Sequence, residues 1–269
     1  MKHTIAFIGG GNMGGAILRA ACRTIPPEQI VLFDTDADKA RAVAEETGCA
    51  VAHDGCEAVR SARFIMLCVK PQVFRPVLAG LLPALREGGE KVLASIAAGV
   101  SLSAMSAMLD GLSLPLIRIM PNTPALVGKG TFLIAPDAGV PQSVTDELLR
   151  ILSGCGLLLP VTEHELDLGS TVSGCGPAFA YLFIEALADG GVQIGLPRAM
   201  AQRLAAQMLL GSAAMVLETG EHPGVLKDAV CSPGGTTIAG VAELEKRGFR
   251  AAAAQAVVAA YRRNCELSQ

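Results

Sequence analysis

Apolar and polar residues follow two different patterns along the chain, and the change comes near Val161. Up to that residue, short apolar runs alternate with longer stretches in which apolar residues recur every three or four positions. The short runs are typical of strands buried on both faces of a parallel sheet, and the longer stretches are typical of helices. Because strands and helices alternate, the pattern predicts βαβ units and a doubly wound sheet.

Eight strands are predicted in this first half, the last two as edge strands of the sheet. They cover residues 4–8, 30–33, 49–52, 64–69, 91–95, 115–120, 131–135 and 156–161. Helices are predicted between the strands over residues 13–24, 36–47, 73–85, 103–109 and 143–152. Gly48 stops the second of these helices, as a glycine after the last apolar position commonly does.

No strand pattern follows Val161. Four helical stretches are predicted instead, over residues 163–194 with an interruption at 174–177, 197–218, 236–246 and 249–267. They are rich in alanine and leucine and carry few charges, so we expect a second subunit to cover part of them. The predicted fold class is α/β, with an N-terminal Rossmann-type doubly wound sheet in residues 1–162. An all-α domain for dimerisation and substrate binding is predicted in residues 163–269.

A glycine-rich turn joins the first predicted strand to the first helix. Gly9 allows a tight bend, Gly11 lets the backbone approach a pyrophosphate, and Gly14 lets the helix pack close to the strand. The helix N-terminus offers N–H groups and a partial positive charge to phosphates. The alternative is a glycine turn in an ordinary α/β domain, and the surrounding strand, helix and acid argue against it. The predicted cofactor contacts at this turn are Ile8, Gly9, Gly11, Asn12, Met13 and Gly14.

The second predicted strand ends on Asp34, twenty residues after the last glycine of the turn, where a dinucleotide fold places its ribose-reading residue. A carboxylate there accepts hydrogen bonds from a free 2′-hydroxyl and repels a 2′-phosphate, which favours NADH. The nearest cations, Lys39 and Arg41, are expected one turn or more into the next helix. In the competing hypothesis, Asp34 caps the helix that begins near Asp36. Thr35 and Lys39 would then receive the 2′-phosphate of NADPH, so both cofactors stay open, with Asp34 and Thr35 as predicted contacts.

Three further loops are predicted at the carboxyl ends of strands, which is where ligands bind in an open parallel sheet. Their sequences are small, polar and rich in proline, so they can lie flat along a nicotinamide. The proline and glycine residues could instead only punctuate turns, but three such loops at one sheet edge favour a binding role. The predicted cofactor contacts in these loops are Val69, Lys70, Pro71, Ala98, Pro121 and Asn122.

A second glycine turn lies inside the all-helical half, in residues 230–238. The N–H groups of Gly235, Thr236 and Thr237 would form a small anion site at a helix start, suited to a substrate carboxylate, and the two hydroxyls add donors. The alternative is a helix cap with threonine as the N-cap residue. No Glu or Gln follows either threonine by three residues, so no capping box closes this end, and the substrate site is favoured.

Composition argues against several other classes. The net charge is −3 and Trp is absent, so no surface for nucleic acid is expected. The eight cysteines form no Cys-x-x-Cys pair, which argues against a metal site and favours a reduced, cytoplasmic setting. The longest uncharged stretches, 92–109 and 168–184, contain glycine and hydroxyl residues, so no membrane span is expected. His164 and His222 are weak acid–base candidates; His222 precedes a predicted turn at Pro223.

Taken together, these residues resemble the pyrroline-5-carboxylate reductase family over essentially the whole chain. The segment from His222 to Thr237 is close to a family signature and is the most specific part. Cys175 departs from the family, which often has serine there, but a small side chain is kept. The segments that carry the resemblance are 7–14, 69–71, 95–100, 118–124, 173–178, 222–228 and 232–237.

The resemblance implies reduction of 1-pyrroline-5-carboxylate to L-proline by hydride transfer from NAD(P)H to the cyclic imine carbon, the last step of proline biosynthesis. It implies that Gly235, Thr236 and Thr237 hold the substrate carboxylate. Thr237 would also lie near the imine nitrogen as the catalytic residue, and Glu163 would lie beside the substrate. The family forms intertwined dimers that often stack into decamers, so a homodimer is expected and a decamer is an option.

Two other classes remain open at this point. A β-hydroxyacid dehydrogenase of similar architecture needs a lysine facing the nicotinamide on its long interdomain helix, and no lysine lies between Ser170 and Pro197. A non-catalytic dinucleotide-binding module would need no anion site in the second half, and the turn at 232–237 argues against it.

Overall fold

The structure is a computed structural model and describes residues 2–87 and 89–267. Contacts within the chain divide it into two compact units. One unit holds the chain up to Gly174 and a short piece from Asn264 onward, and the other holds Cys175–Arg263. The helix that begins at Glu163 belongs to the first unit. The units therefore divide later than the domain boundary predicted at residue 162, and that boundary stays a prediction.

The first unit is built on one eight-stranded sheet. Its strands are β1 (His3–Ile8), β2 (Ile30–Phe33), β3 (Ala50–Val51), β4 (Ala62–Leu67), β5 (Val92–Ser95), β6 (Leu116–Met120), β7 (Gly130–Pro136) and β8 (Gly156–Pro160). Their order is β3-β2-β1-β4-β5-β6-β7-β8, and all neighbours are parallel except β6 and β7. The strand order reverses where β1 lies between β2 and β4, and such a switch point opens a crevice at the carboxyl ends.

The eight predicted strands and the doubly wound sheet are confirmed. The prediction that the last two strands both lie at edges is wrong for β7, because β7 pairs with β6 on one side and β8 on the other. The edges are β3 and β8. The antiparallel pairing of β6 and β7 explains the difference, since a short connection folds β7 back beside β6 and leaves its far side for β8.

Within the described residues, seven α-helices accompany the sheet. They are α1 (Asn12–Ala21), α2 (Ala37–Thr47), α3 (Gly55–Ser61), α4 (Pro71–Arg86), α5 (Leu102–Met108), α6 (Gln142–Leu152) and α7 (Glu163–Ser173). The sequence pattern does not predict α3, because a helix this short holds too few apolar repeats; Asp54 caps it by accepting from the Glu57 N–H. The N-terminus of α4 comes earlier than predicted, because Pro71 suits a first helical position.

Both faces of the sheet are covered by helices. Along β1, Ile5 and Phe7 pack on one face with residues of α1, α2 and α6, and Ala6 and Ile8 pack on the other with residues of α3, α4 and α5. Burial of each such Phe or Ile contributes about 1.5–3 kcal/mol. The sheet is thus a rigid platform, and the loops at its carboxyl edge start from fixed points.

The second unit is all-helical. Its helices are α8 (Gly176–Gln193), α9 (Arg198–Thr219), α10 (Pro223–Ala229), α11 (Thr236–Lys246) and α12 (Phe249–Leu267), the last of which runs on past this unit. The break between α7 and α8 falls inside the interruption predicted at 174–177. The turn predicted at Pro223 is wrong, because that proline occupies the first position of α10 and the His222 side chain caps the helix.

The helical unit buries little of its own apolar surface. Among its described residues, only Ala188, Ala201 and Ala205 are buried, whereas Leu182 is 67% exposed and Leu217 is 76% exposed. Exposed apolar surface on this scale is typical of a protein or membrane interface. By length and composition alone, the helical run over residues 163–193 could also cross a membrane. The absence of a membrane span therefore stays a prediction.

Candidate functional site

The turn after β1 can be built only with glycine at two of its positions. Gly9 has a φ of +107°, and a Cβ there would lie 2.6 Å from the Cys68 carbonyl oxygen. A Cβ at Gly14 would lie 2.3 Å from the Gly9 carbonyl oxygen and 2.7 Å from the Cys68 Cβ. The first helix therefore packs directly against the ends of β1 and β4, as the sequence predicts.

Gly11 faces open space instead of protein. A Cβ there would have no protein atom within 4 Å, and Gly11 is the N-cap of α1 with no side-chain cap. The N–H groups of Asn12 and Met13, in the first helical turn, have no partners within the helix. No acidic residue lies in that turn. The turn thus offers N–H donors and room for an anion, which fits the pyrophosphate of a dinucleotide.

A cleft of about 530 Å³ opens beside this turn at the carboxyl edge of the sheet. It is bounded by the glycine turn and by the loops that follow β4, β5 and β6. Most of the predicted cofactor contacts line it, namely Gly11, Asn12, Met13, Gly14, Val69, Lys70, Pro71, Ala98 and Pro121. Ile8 and Gly9 lie at the end of β1, outside the lining. The lining residues come from four separate segments of the sequence, which therefore meet at one cleft.

Cys68 lines this cleft and Ser95 holds one of its loops, and neither is among the predicted site residues. Cys68 lines it, and burial raises the pKa of the thiol, so the side chain stays neutral beside a site for anions. Ser95 is buried at the end of β5, and its hydroxyl accepts from the Ala97 N–H at 3.1 Å. The loop then turns at Gly99, which has a φ of +75°.

Asp34 is attached to the glycine turn and does not cap a helix. Its Oδ2 accepts from the Gly10 N–H at 2.6 Å, and its Oδ1 accepts from the Asp36 N–H at 2.9 Å. The N-cap of α2 is Asp36, which accepts from the Lys39 N–H at 3.1 Å. The competing hypothesis that Asp34 caps this helix is therefore wrong. Lys39 Nζ lies 3.4 Å from Asp36 Oδ2, and Thr35 is exposed.

Asn122 differs from the other predicted cofactor contacts because its side chain is buried and engaged by protein. Its Nδ2 donates to the Ser173 carbonyl at 2.9 Å, and its Oδ1 accepts from the Thr131 N–H at 2.8 Å. These bonds join the loop after β6 to β7 and to the last residue of α7. A cofactor contact by Asn122 stays a prediction, and its side chain has a structural task in any case.

The buried guanidinium of Arg118 lies on β6, just before the loop that carries Asn122. Arg118 is 5% exposed, and it donates to Glu163 Oε1 at 3.0 Å and to Asp167 Oδ1 at 2.8 Å. Glu163 Oε1 also accepts from the Leu102 N–H, at 2.7 Å. Glu163, which the resemblance places beside the substrate, thus joins α7 to β6 and to the start of α5.

The second glycine turn, in the helical unit, ends at the start of α11. Gly235 is the N-cap and makes no side-chain cap, so the alternative of threonine as N-cap is wrong. The Gly235 N–H donates to the Ser232 carbonyl at 3.0 Å, so it is not one of the free donors predicted there. The N–H groups of Thr236 and Thr237 lie in the first helical turn, without intrahelical partners. They remain the predicted donors for a carboxylate.

Neither histidine candidate is placed for acid–base chemistry. His222 Nδ1 accepts from the Gly224 N–H at 3.0 Å as the cap of α10, and His164 is exposed on the first turn of α7. Among residues 2–87 and 89–267, no group of three or more His, Cys, Asp and Glu side chains could hold a metal ion. The candidate chemistry therefore rests on the cleft and the α11 turn.

Comparisons with known proteins find matches for both halves of the chain. A family model described as pyrroline-5-carboxylate reductase dimerisation matches residues 163–267, and one described as NADP oxidoreductase coenzyme F420-dependent matches residues 4–99. The chain is 44% identical to a pyrroline-5-carboxylate reductase from Synechocystis and 42% identical to one from Escherichia coli, with both chains covered completely in each comparison. The chain belongs to the pyrroline-5-carboxylate reductase family.

Solved structures of the pyrroline-5-carboxylate reductase family share the fold. One from Coxiella burnetii matches with a TM-score of 0.92, and one from Plasmodium falciparum with NADP bound matches with a TM-score of 0.86. Each is 31% identical, with complete coverage of both chains. A 3-hydroxyisobutyrate dehydrogenase from Mycobacterium tuberculosis, 18% identical with a TM-score of 0.52 over 82% of this chain and 72% of that one, shares the fold alone.

We expect Gly14→Ala and Gly11→Ala to have different effects. Alanine at position 14 would overlap the Gly9 carbonyl and Cys68, so the free energy of unfolding should fall by about 1–3 kcal/mol. Alanine at position 11 meets no protein atom, so stability should be kept while affinity for a reduced nicotinamide cofactor falls. Thermal unfolding and a cofactor titration measure the two quantities. Equal losses of stability in both variants would contradict this geometry.

Proposed function

We propose that the chain reduces 1-pyrroline-5-carboxylate to L-proline with NADH or NADPH as the reductant. The observation that carries the proposal is the complete alignment, above 40% identity, with relatives of that name. The cleft at the sheet edge and the α11 turn support it, because they supply groups for a dinucleotide and for a carboxylate. Unlike a non-catalytic dinucleotide-binding module, the chain carries both.

The reaction needs little acid–base help from the protein. A hydride passes from the reduced nicotinamide to the imine carbon, and the nitrogen ends with one proton more than in the neutral imine. When the imine enters protonated, that proton is already in place and hydride addition gives the neutral amine, so no general acid is required. The protein's task is then to hold the ring and the nicotinamide at reacting distance. This agrees with the positions of His164 and His222, neither of which is placed for acid–base chemistry.

Different residues of this chain would bind the cofactor and the substrate. The glycine turn and the loops after β4, β5 and β6 hold the cofactor. The N–H groups and hydroxyls of Thr236 and Thr237 hold the substrate carboxylate, and Thr237 also lies near the imine nitrogen, as the resemblance implies. Glu163 beside the substrate is implied in the same way, although its Oε1 is already engaged by Arg118 and Leu102.

The activity is tested by supplying 1-pyrroline-5-carboxylate with NADH or NADPH to the purified protein. Loss of reduced-nicotinamide absorbance should depend on the imine, and chromatography should identify L-proline as the product. A protein that binds the cofactor and forms no proline would refute the proposed function.

We expect Thr237→Ala to lower kcat/KM for the imine by roughly ten- to a hundredfold. This is the scale for losing one substrate-orienting hydrogen bond of about 1.5–3 kcal/mol. Cofactor affinity should barely change, since Thr237 belongs to none of the segments proposed to hold the cofactor, which are the turn after β1 and the loops after β4, β5 and β6. Thr237→Ser keeps a hydroxyl and should retain most of the activity. An alanine variant as fast as the wild type would rule out this site.

The position of Asp34 favours NADH over NADPH. Its carboxylate lies beside the glycine turn, and the two nearest cations of α2 pair with other acids, Lys39 with Asp36 and Arg41 with Asp38. We expect a higher kcat/KM with NADH, and a gain for NADPH in Asp34→Ser. Asp137→Ser is the matched control, because this exposed aspartate also accepts from a backbone N–H, that of Ala138, and it follows β7 outside the glycine turn, so the cofactor ratio should stay unchanged. A wild type that prefers NADPH, with no gain in Asp34→Ser, would disprove this role.

The exposed apolar helices favour a homodimer or a larger assembly. We expect an interface that buries more than about 2,000 Å² and a dimer or larger species by light scattering at micromolar concentration. A decamer, which the resemblance implies, would have five times the mass of the dimer. Leu182→Glu should weaken the assembly, whereas Val51→Glu, at an exposed position of the edge strand β3, should not. A wild-type monomer would contradict this prediction.

A further inference from the structure

Arg118 is a charged residue inside an otherwise apolar strand. It lies in β6 opposite Ser95 of β5 and Ala135 of β7, and its side chain is 6% exposed. A guanidinium so buried is tolerated only when carboxylates compensate its charge, and Glu163 and Asp167 do so from the same face of α7.

Glu163 joins three elements through one oxygen. Its Oε1 accepts from Arg118 on β6 and from the Leu102 N–H at the first position of α5, and Glu163 itself is the first residue of α7. A carboxylate at two helix N-termini is favoured by both helix dipoles. Because this oxygen already has two donors within 3.0 Å, its contacts are those of a structural junction.

The junction lies next to two loops of the cofactor cleft. Leu102 follows the loop that carries Ala98 and Gly99, and Arg118 precedes the loop that carries Pro121. At its other end, α7 is held to the second loop by the bond from Asn122 to the Ser173 carbonyl. Hydrogen bonds therefore connect residues at both loops to the same helix, α7.

Apolar contacts hold α7 only weakly against the sheet. The small cluster beneath it contains Leu133, Ala135 and Leu166 as its buried members. The helix approaches closely at Gly169, where a Cβ would lie 2.7 Å from Leu133 Cδ1. Because Leu166 is the only buried apolar side chain of α7, the hydrogen bonds at the two ends of the helix contribute much of what holds it in place.

We propose that Arg118 and Glu163 are positioning residues for the nicotinamide cofactor, acting through Leu102 and the loops after β5 and β6. Their pairing fixes the distance between the two loops that would hold the nicotinamide end. This role is additional to the place beside the substrate that the resemblance implies for Glu163. The proposal rests on the assignment of the cleft to a nicotinamide cofactor.

The first test measures the dissociation constant of NADH by fluorescence titration, without turnover. We expect Arg118→Met to raise this dissociation constant about tenfold, the scale expected when a binding loop is slightly misplaced. Arg118→Lys should give a value between those of the wild type and Arg118→Met. The matched control is Arg63→Met, which removes a partly buried guanidinium that pairs with Glu147 and Glu90 at the amino end of β4. It should lower Tm without changing NADH affinity. An NADH affinity of folded Arg118→Met within about twofold of the wild type would overturn the proposal.

A second pair of variants avoids removing a buried charge. Leu102→Pro deletes the N–H that Glu163 accepts, and proline is tolerated at the first position of a helix. Ser101 before it is already extended, with φ −75° and ψ 161°, as a residue before proline must be. Leu102→Ala removes the same buried side chain and keeps the N–H. We expect weaker NADH binding in the proline variant than in the alanine variant; equal affinities would overturn the proposal.

Glu163→Gln separates positioning from substrate contact. Glutamine keeps an oxygen that can accept from Leu102 and Arg118, so we expect NADH affinity to stay within about threefold of the wild type, whether or not the KM for the imine rises. Glu163→Ala loses the oxygen and should weaken NADH binding as Arg118→Met does. A Glu163→Ala variant that binds NADH as tightly as Glu163→Gln would overturn the proposal. Since NADH binding is read without turnover, failure of the proposed reaction would be seen separately.

Discussion

The close contact between Gly9, Gly14 and Cys68 is the constraint on which the rest of the cofactor cleft depends. Backbone and Cβ atoms of these residues lie where no further methyl group fits. The contact presses the start of α1 onto the ends of β1 and β4, at the point where the strand order reverses. The free N–H groups of α1 consequently face the same edge as the loops after β4, β5 and β6. Four loops far apart in sequence thereby share one cleft.

The buried strands and the glycine turn could be predicted from local sequence patterns, because each of these features depends on a few neighbouring residues. A strand buried on both faces leaves a continuous apolar run, and a phosphate turn leaves spaced glycines. The short helices α3 and α10 leave neither signal. Arg118 is visible as a charge in an apolar strand, but its partners lie 45 and 49 residues further along the chain. Spacing alone does not pair such residues, so the junction at α7 required the structure.

The two units differ in what stabilises them. The sheet unit buries large side chains on both faces of the sheet, whereas the helical unit buries only three alanines among its described residues. The helical unit therefore depends on a further surface, which agrees with a family model named for dimerisation. The turn at the start of α11 belongs to this dependent unit. If this turn holds the substrate carboxylate, as we propose, substrate affinity should respond to assembly more strongly than cofactor affinity does.

On the proposal that Asp34 reads the ribose, this residue would couple cofactor preference to the shape of the glycine turn after β1. Its carboxylate holds the Gly10 N–H and the Asp36 N–H, so it joins the end of β2 both to the turn and to the start of α2. A carboxylate has about four lone-pair sites, so it can serve these two donors and still accept from a ribose hydroxyl. A shorter neutral side chain at this position removes the repulsion of a 2′-phosphate, but it also leaves the Gly10 N–H with a poorer acceptor. If the protein prefers NADH, as we propose, full conversion to NADPH would therefore require a new acceptor for the turn as well as the loss of a negative charge.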